Sequence, residues 1–584
     1  MLSPGHWFVP IAGLIGDGRN LARNPSTTAE LSPMANAAPE TIVPSAAWPR
    51  AIALGKVAPP WLWQLLAGLL VFVGLLVWHS NVLRLPPYED QAVGLWTEAD
   101  FLAESGFDYY RLRYGENHYM SANAGPRSYM ISVLPTIVAL LMIGCPSVAS
   151  SIFVAHLLTL ACTSAICLVL AAIARAWCGA IGAALVCGAV LTTPLFNAQV
   201  QMVGMEIPLT LFALLATWAM WRERFLLAAG FSMLAFLMKA TGGLFTFVGL
   251  AYLSALIALA GTSTPGTRDR RYLRGWVAFL VLLLLQTALV RIGDTTIELR
   301  RQINWPAALR LPFAVEWCPD MVVLFAVCAV LTAAVWLTDA EQLRRAAAAE
   351  RLANYWRARA ADAYRRHANL VICWAIVLGM IAANSLYIFM PRYFTCATPY
   401  LWLILGVLLF ERLRVRKVAM AVFVLLIAFN VVNRNGDYFP AIEQAGAESF
   451  RQHAWIHARS CPFTERSNEY LADHLSQIEV MRKLDREYHD HPILVALPQK
   501  FYLTKPRLGY VASPLKTYDA SRPEEIARAV DDWQRSGQPQ RDPIYFWYGA
   551  TRATLPLPGQ QDQVLYFDGQ STPIIVYRKH WPSK

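Results

Sequence analysis

Apolar residues in this chain fall in long runs, not in the alternating or one-sided patterns of a soluble fold. Crossing ~30 Å of hydrocarbon takes about 20 residues, with ~17 as a lower bound. Runs that reach or approach this length lie at 61–82, 148–174, 177–200, 207–221, 224–239, 241–261, 276–292, 320–337, 369–389, 397–411 and 418–433. A shorter one covers 128–144 and contains Pro135. The pattern predicts an α-helical polytopic membrane protein with about 11–13 transmembrane helices. After residue 435 it changes: 464–490 and 521–536 read as helices, and 493–497, 544–548, 564–567 and 574–577 as strands, which predicts an α/β domain over 436–584.

Basic residues then orient the spans, because Lys and Arg are retained in short cytoplasmic loops. Four connections are basic: Arg222/Arg224, Arg268/Arg270/Arg271/Arg274, the segment 338–367, and Arg412/Arg414/Arg416/Lys417. With these inside, the loops around Glu206, Lys239, 293–319 and 391–393 face outward, as does the C-terminal domain, and the N-terminus is cytoplasmic. This parity leaves no crossing for 128–144, which is expected to be re-entrant or interfacial. Residues 1–55 read as a disordered cytoplasmic tail with no cleavable leader, 56–435 as the transmembrane domain, 84–127 as its first outward loop, and 338–367 as a cytoplasmic amphipathic helix on anionic headgroups. The expected location is the inner (plasma) membrane, multi-pass, with a periplasmic C-terminal domain.

Composition agrees. Of 584 residues 56% are hydrophobic and only 16% charged, which excludes a string of soluble domains and a disordered chain. The net charge of +11 is a topology signal, so nucleic acid is not expected as a partner. The ten Cys show no CxxC or metal-type spacing, and six of them lie in apolar runs as small core residues. Phosphate-loop, dinucleotide, HExxH and GxSxG motifs are absent from the sequence.

The candidate chemistry lies in the outward loops. Pro87-Tyr88-Glu89-Asp90 places two carboxylates just beyond the first span, where low-dielectric surroundings can tune one as a general base while the other holds a metal, a hydrogen bond or a helix start. The plain alternative is a pair of acids favoured by a helix dipole. Glu206, in Gly204-Met-Glu-Ile-Pro208, sits between two apolar runs, where an acid is costly unless it meets a cavity or a partner, although it also suits a helix start before Pro208. Lys239 in Met238-Lys-Ala-Thr-Gly242 and Arg392 in Met390-Pro-Arg-Tyr-Phe394 are cations at span ends, placed for a lipid phosphate or, more plainly, as snorkelling anchors. Tyr393 beside Arg392, and His118 and Arg127 in the first outward loop, complete the candidate substrate-binding set.

This order of features resembles the GT-C superfamily of integral-membrane glycosyltransferases over residues 60–435. It is most similar to the branch of protein O-mannosyltransferases and bacterial lipid A aminoarabinose transferases. The resemblance rests on the carboxylate pair opening the first outward loop, the second acid before a Pro, Lys239-Ala-Thr-Gly242, and Pro391-Arg-Tyr-Phe394 followed by Pro399. It implies transfer of a sugar from a polyprenyl-phosphate donor to a protein, lipid or glycan acceptor on the extracytoplasmic face. In that reading Glu89 or Asp90 is the base, Glu206 supports the site or a metal, and Lys239 and Arg392 lie near the carrier phosphate. The order Glu-Asp, where the family more often has Asp-Glu, leaves open which of the pair acts. A divalent metal ion is compatible with the acids but is not specified by them. The alternatives are a transporter or lipid flippase, which would carry repeat symmetry and a mid-membrane charge in a broken helix, and a glycan polymerase or ligase built on outward Arg and His.

Overall fold

The structure, a computed structural model, describes residues 60–88, 91–114, 133–260, 267–292, 319–347, 367–382, 391–433, 468, 470–496, 499–537, 541–548, 555, 557–568 and 574–579. Chain contacts separate Met1–Leu75 from a second unit, Leu76–Lys584. Helix α1 (Pro60–Trp78) is apolar throughout apart from Gln64. The remaining elements belong to the second unit.

After a six-residue π-helical turn, Gln91–Trp96, the first loop continues directly into α2 (Thr97–Ser105). Packed on α2 is α3 (Val133–Gly144). Its 12 residues measure about 18 Å; residues 128–132 of the 128–144 run lie outside the described residues. Helix α4 (Val148–Thr192) opens with reciprocal Ser147/Ser150 capping bonds. Forty-five residues would measure ~68 Å if continuous, but the run breaks at Gly179, whose φ of 79° suits glycine. The two apolar runs read on either side of Arg175 are therefore two helical segments. The second is interrupted at Thr193, where Pro194 starts α5 (Pro194–Gln201), and α5 meets α6 (Glu206–Trp221) at 116°.

The rest of the helical region comprises α7 (Phe225–Met238), α8 (Leu244–Ala260), α9 (Thr267–Ile292), α10 (Pro319–Ala347), α11 (His367–Ala382), α12 (Thr398–Gly406) and α13 (Arg416–Val432). A second π-helical turn, Val407–Arg412, follows α12. Among the described residues four helices are long and apolar enough to cross a membrane, five if the bent pair α5–α6 is one span, and four shorter apolar helices join them. Exposed Leu226, Leu284, Val330, Leu337 and Leu425 give these helices the apolar outer surface that lipid requires. Two of the four basic connections meet at one end, beside Trp177. Trp177 packs edge-on against Trp221 with centroids 5.9 Å apart, Arg222 lies 5.1 Å over Trp221, and Gly275, next to Arg274, sits against Phe225, next to Arg224.

The C-terminal region forms a five-stranded mixed sheet in the order β2 (Thr517–Asp519), β1 (Ile493–Val495), β3 (Ile544–Tyr548), β5 (Ile574–Arg578), β4 (Gln563–Asp568). β1 runs parallel to β2 and β3, and β5 antiparallel to β3 and β4. Leu494, Tyr518, Tyr545 and Tyr577 form one core with Ala529 of α16 (Pro523–Ser536), and the Tyr545 and Tyr577 rings stack across the strands at 5.1 Å. Side chains alternate along β3, so Tyr548 points to the other face and meets Gln477 of α14 (Tyr470–Glu487). The short helix α15 (Gln499–Thr504) follows β1. Four of the five strands match the sequence reading. β2 does not: three residues, Thr-Tyr-Asp, carry too short a pattern to register, and their extended form comes from pairing with β1.

Candidate functional site

At the end of the helices opposite Trp221, three separate connections converge on one carboxylate. Glu206 opens α6, with 8% of its side chain exposed, and its Oε1 lies 2.7 Å from Lys239 Nζ and 3.8 Å from Arg392 Nε. A buried carboxylate costs several kcal/mol in lost hydration unless cations and donors surround it. Here two cations do so, and the start of α6 adds its dipole. Tyr393 completes the group: Lys239 Nζ stands 3.7 Å over its ring and Arg392 Cζ 5.2 Å from its centroid.

Local sequence explains how each side chain arrives. Lys239 ends α7 in an extended conformation (φ −158°, ψ 138°), and Ala240–Gly243 then fold into one 3₁₀ turn closed by Gly242 N–H to Lys239 O at 2.8 Å. Gly242 is required there, since a Cβ would sit 2.3 Å from the carbonyl carbon and oxygen of Ala235. Arg392 is carried by another 3₁₀ turn, Pro391–Phe394, which packs on α5; the Thr395 hydroxyl donates to the Arg392 carbonyl at 2.6 Å. Gly204 lies between Glu206 and the first loop. A Cβ on it would meet Glu206 Oε2 at 2.9 Å and Gln91 Cγ at 3.6 Å, so its lack of a side chain lets the two approach.

Glu89, Asp90, His118 and Arg127 lie outside the described residues. Their neighbours bracket the carboxylate pair closely. Gln91 Nε2 donates to Met202 Sδ at 3.4 Å beside Gly204, and the hydroxyl of buried Tyr88 donates to Asp473 Oδ2 at 2.6 Å. Both ends of the segment 88–91 are thus anchored, one near Glu206 and one on the C-terminal domain. Glu206, Lys239, Arg392 and Tyr393 were read separately from the sequence, and the structure brings them together. The two cations are not isolated anchors, because both bind the same carboxylate.

The C-terminal domain's contribution was not read from the sequence. Asp473, His474 and Gln477 occupy the first part of the buried face of α14, which continues with Ile478, Met481 and Leu484. Polar residues at helical spacing within an otherwise buried stripe are the signal that could have pointed to them. Burial first, and His156 second, pull the His474 ring down to about 3. Further contacts hold the domain in place: Asn468 and Tyr470 bond Asn197 and Gln201 of α5, and Lys505 and Arg507 pair with buried Asp100 of α2. Among the described residues no group of three or more His, Cys, Asp or Glu could hold a metal ion.

No family model matches the chain, and no curated protein matches it significantly. Among solved structures it is similar to ArnT from Cupriavidus metallidurans bound to undecaprenyl phosphate, with 14% identity, 90% of this chain and 98% of that one covered, and a TM-score of 0.45. The apo state of that ArnT gives 13% identity, coverage of 87% and 97%, and a TM-score of 0.45.

Proposed function

We propose that this chain is a membrane glycosyltransferase that takes a sugar from a polyprenyl-phosphate carrier and gives it to a protein, lipid or glycan acceptor on the extracytoplasmic face. The observation that carries the reading is the buried Glu206 carboxylate with Lys239, Arg392 and Tyr393 gathered on it at the end of the spans, next to the loop that bears Glu89 and Asp90. Two cations at a membrane boundary suit a lipid phosphate, and Glu206 fixes their positions before the phosphate arrives.

In this mechanism the first-loop carboxylate accepts the proton of an acceptor hydroxyl, whose oxygen attacks the anomeric carbon. The bond from that carbon to the carrier phosphate breaks, and the electron pair leaves with the phosphate oxygen, whose growing charge Lys239 and Arg392 stabilise. A single displacement inverts the anomeric centre. A transporter or flippase would also suit a charge in a broken helix, which α5–α6 resembles, but the cations here sit at a span end and are already paired with an acid.

The test is mass spectrometry of envelope glycans, lipids and glycoproteins from a deletion strain complemented with wild-type or variant chain. The expected result is a sugar-bearing product missing in the deletion, restored by wild type, and not restored by Glu89→Gln/Asp90→Asn at equal protein level in the membrane. Full restoration by that double variant would refute the mechanism.

A further inference from the structure

Asp473 is a buried acid that the mechanism above does not use. With 1% exposure, its Oδ2 accepts from Tyr88 Oη at 2.6 Å, Tyr548 Oη at 2.8 Å and Gln477 Nε2 at 2.8 Å. Gln477 is held in turn by Gln499, whose Nε2 lies 3.4 Å from its Oε1. The carboxylate therefore joins the first loop to α14 and β3 at one atom, and Gln477 extends the link to α15. The Tyr88 ring packs beside Tyr470 at 5.3 Å and His474 at 4.9 Å. A second tie reaches the preceding residue, since Tyr510 Oη donates to the Pro87 carbonyl at 2.8 Å and so accepts from His474 Nε2 at 3.1 Å.

Docking alone does not explain a carboxylate here. The domain is already held by Lys505 and Arg507 on Asp100 and by the amide cluster on α5. Burying an acid in a tyrosine cage is costly and is retained where geometry matters. The residues tied are the two that immediately precede Glu89 and Asp90, while Gln91 on the other side is fixed beside Gly204 and Glu206.

We propose that Asp473 is a positioning residue: through Tyr88 it fixes the chain immediately before Glu89 and Asp90, which makes the C-terminal domain part of the catalytic unit. This rests on the reading of Glu89 and Asp90 as the catalytic acids. Asp473→Asn and Tyr88→Phe are expected each to slow formation of the deletion-defined product in membrane vesicles by ~10- to 100-fold, the scale of a misplaced catalytic group. Both should displace the acid limb of the pH–rate profile, and the double variant should be no slower than the worse single one. Asp100→Asn, which weakens only the remote docking contact, should leave the profile in place.

A readout independent of activity uses Asp90→Cys in the full-length chain in membranes, labelled with a membrane-impermeant maleimide. Labelling should speed up at least ~3-fold in the Asp473→Asn and Tyr88→Phe backgrounds and not in Asp100→Asn. An unchanged profile and labelling rate in Tyr88→Phe, which keeps the ring and loses one hydroxyl, would overturn the proposal even if Asp473→Asn fails to fold. If Glu89→Gln/Asp90→Asn keeps transferring sugar while labelling still depends on Asp473, the tether stands and the catalytic reading fails.

Discussion

Lys239 Nζ lies 2.7 Å from Glu206 Oε1, joining the end of α7 to the start of α6 across 33 positions of sequence. Removing one member of a buried pair leaves the other charge without its compensation, at a cost of about 3–5 kcal/mol. Lys239→Met should therefore destabilise by about 3 kcal/mol, near the lower bound because the ammonium retains 20% exposure and Arg392 stays beside Glu206. Glu206→Gln combined with Lys239→Met should lose at least ~1 kcal/mol less than the sum of the single losses. Unfolding of purified protein in a graded detergent mixture measures both, and strictly additive losses would show that the pair is not coupled.

Gly242 and Gly230 make a matched contrast within one helix-and-turn. At Gly242 a methyl would collide with the Ala235 backbone at 2.3 Å, whereas at Gly230 nothing lies within 4 Å. Gly242→Ala should cost about 1–3 kcal/mol through forced displacement of the turn that carries Lys239. Gly230→Ala, inside α7, should be neutral or stabilising by up to ~1 kcal/mol. Thermal midpoints of the two variants decide it; equal midpoints would mean that the turn is not tightly packed.

How much of this was legible follows from range. Apolar run length located the helices and even the division near Arg175, because each span is a local property of ~20 residues. Basic connections correctly grouped Arg224 with Arg274 at one end and Glu206, Lys239 and Arg392 at the other. What stayed hidden was pairing across long separations. Tyr88 and Asp473 are 385 positions apart, and neither residue type signals the other. The ion pair at Glu206 was hidden for the same reason: its three members come from three connections, each of which reads alone as a helix end or an anchor. Irregular backbone was also invisible, since the π-helical turn at Gln91–Trp96 has an ordinary apolar sequence.

Sidedness can be tested directly. Arg528 on α16 and Arg270 on α9 are both exposed, and the basic-loop rule puts them on opposite faces of the membrane. In intact cells an impermeant maleimide should label Arg528→Cys and should label Arg270→Cys only after permeabilisation. The reverse pattern would invert the orientation and move the Glu206 group to the cytoplasmic face.

His474 gives the C-terminal domain's contact a pH dependence whose sign is fixed by burial. The ring, enclosed by Tyr88, Tyr470 and Tyr510 with Asp473 adjacent and His156 near, titrates at about 3 in the folded chain, against about 6.5 when unfolded. Between those values the unfolded chain binds a proton that the folded chain does not. Stability from this group is therefore complete above pH ~6.5 and is lost as the pH falls toward 3, by on the order of 1 kcal/mol per pH unit. His474→Gln keeps a side-chain amide donor able to reach Tyr510 but cannot take up the proton. Lowering the pH from 7.5 to 5.0 should depress the thermal midpoint of wild type more than that of the variant, whatever the other titrating groups contribute to both. Equal depression would mean that the imidazole finds water, and with it a proton, without leaving its place against Tyr88, so that the contact between α14 and the first loop is hydrated and not sealed.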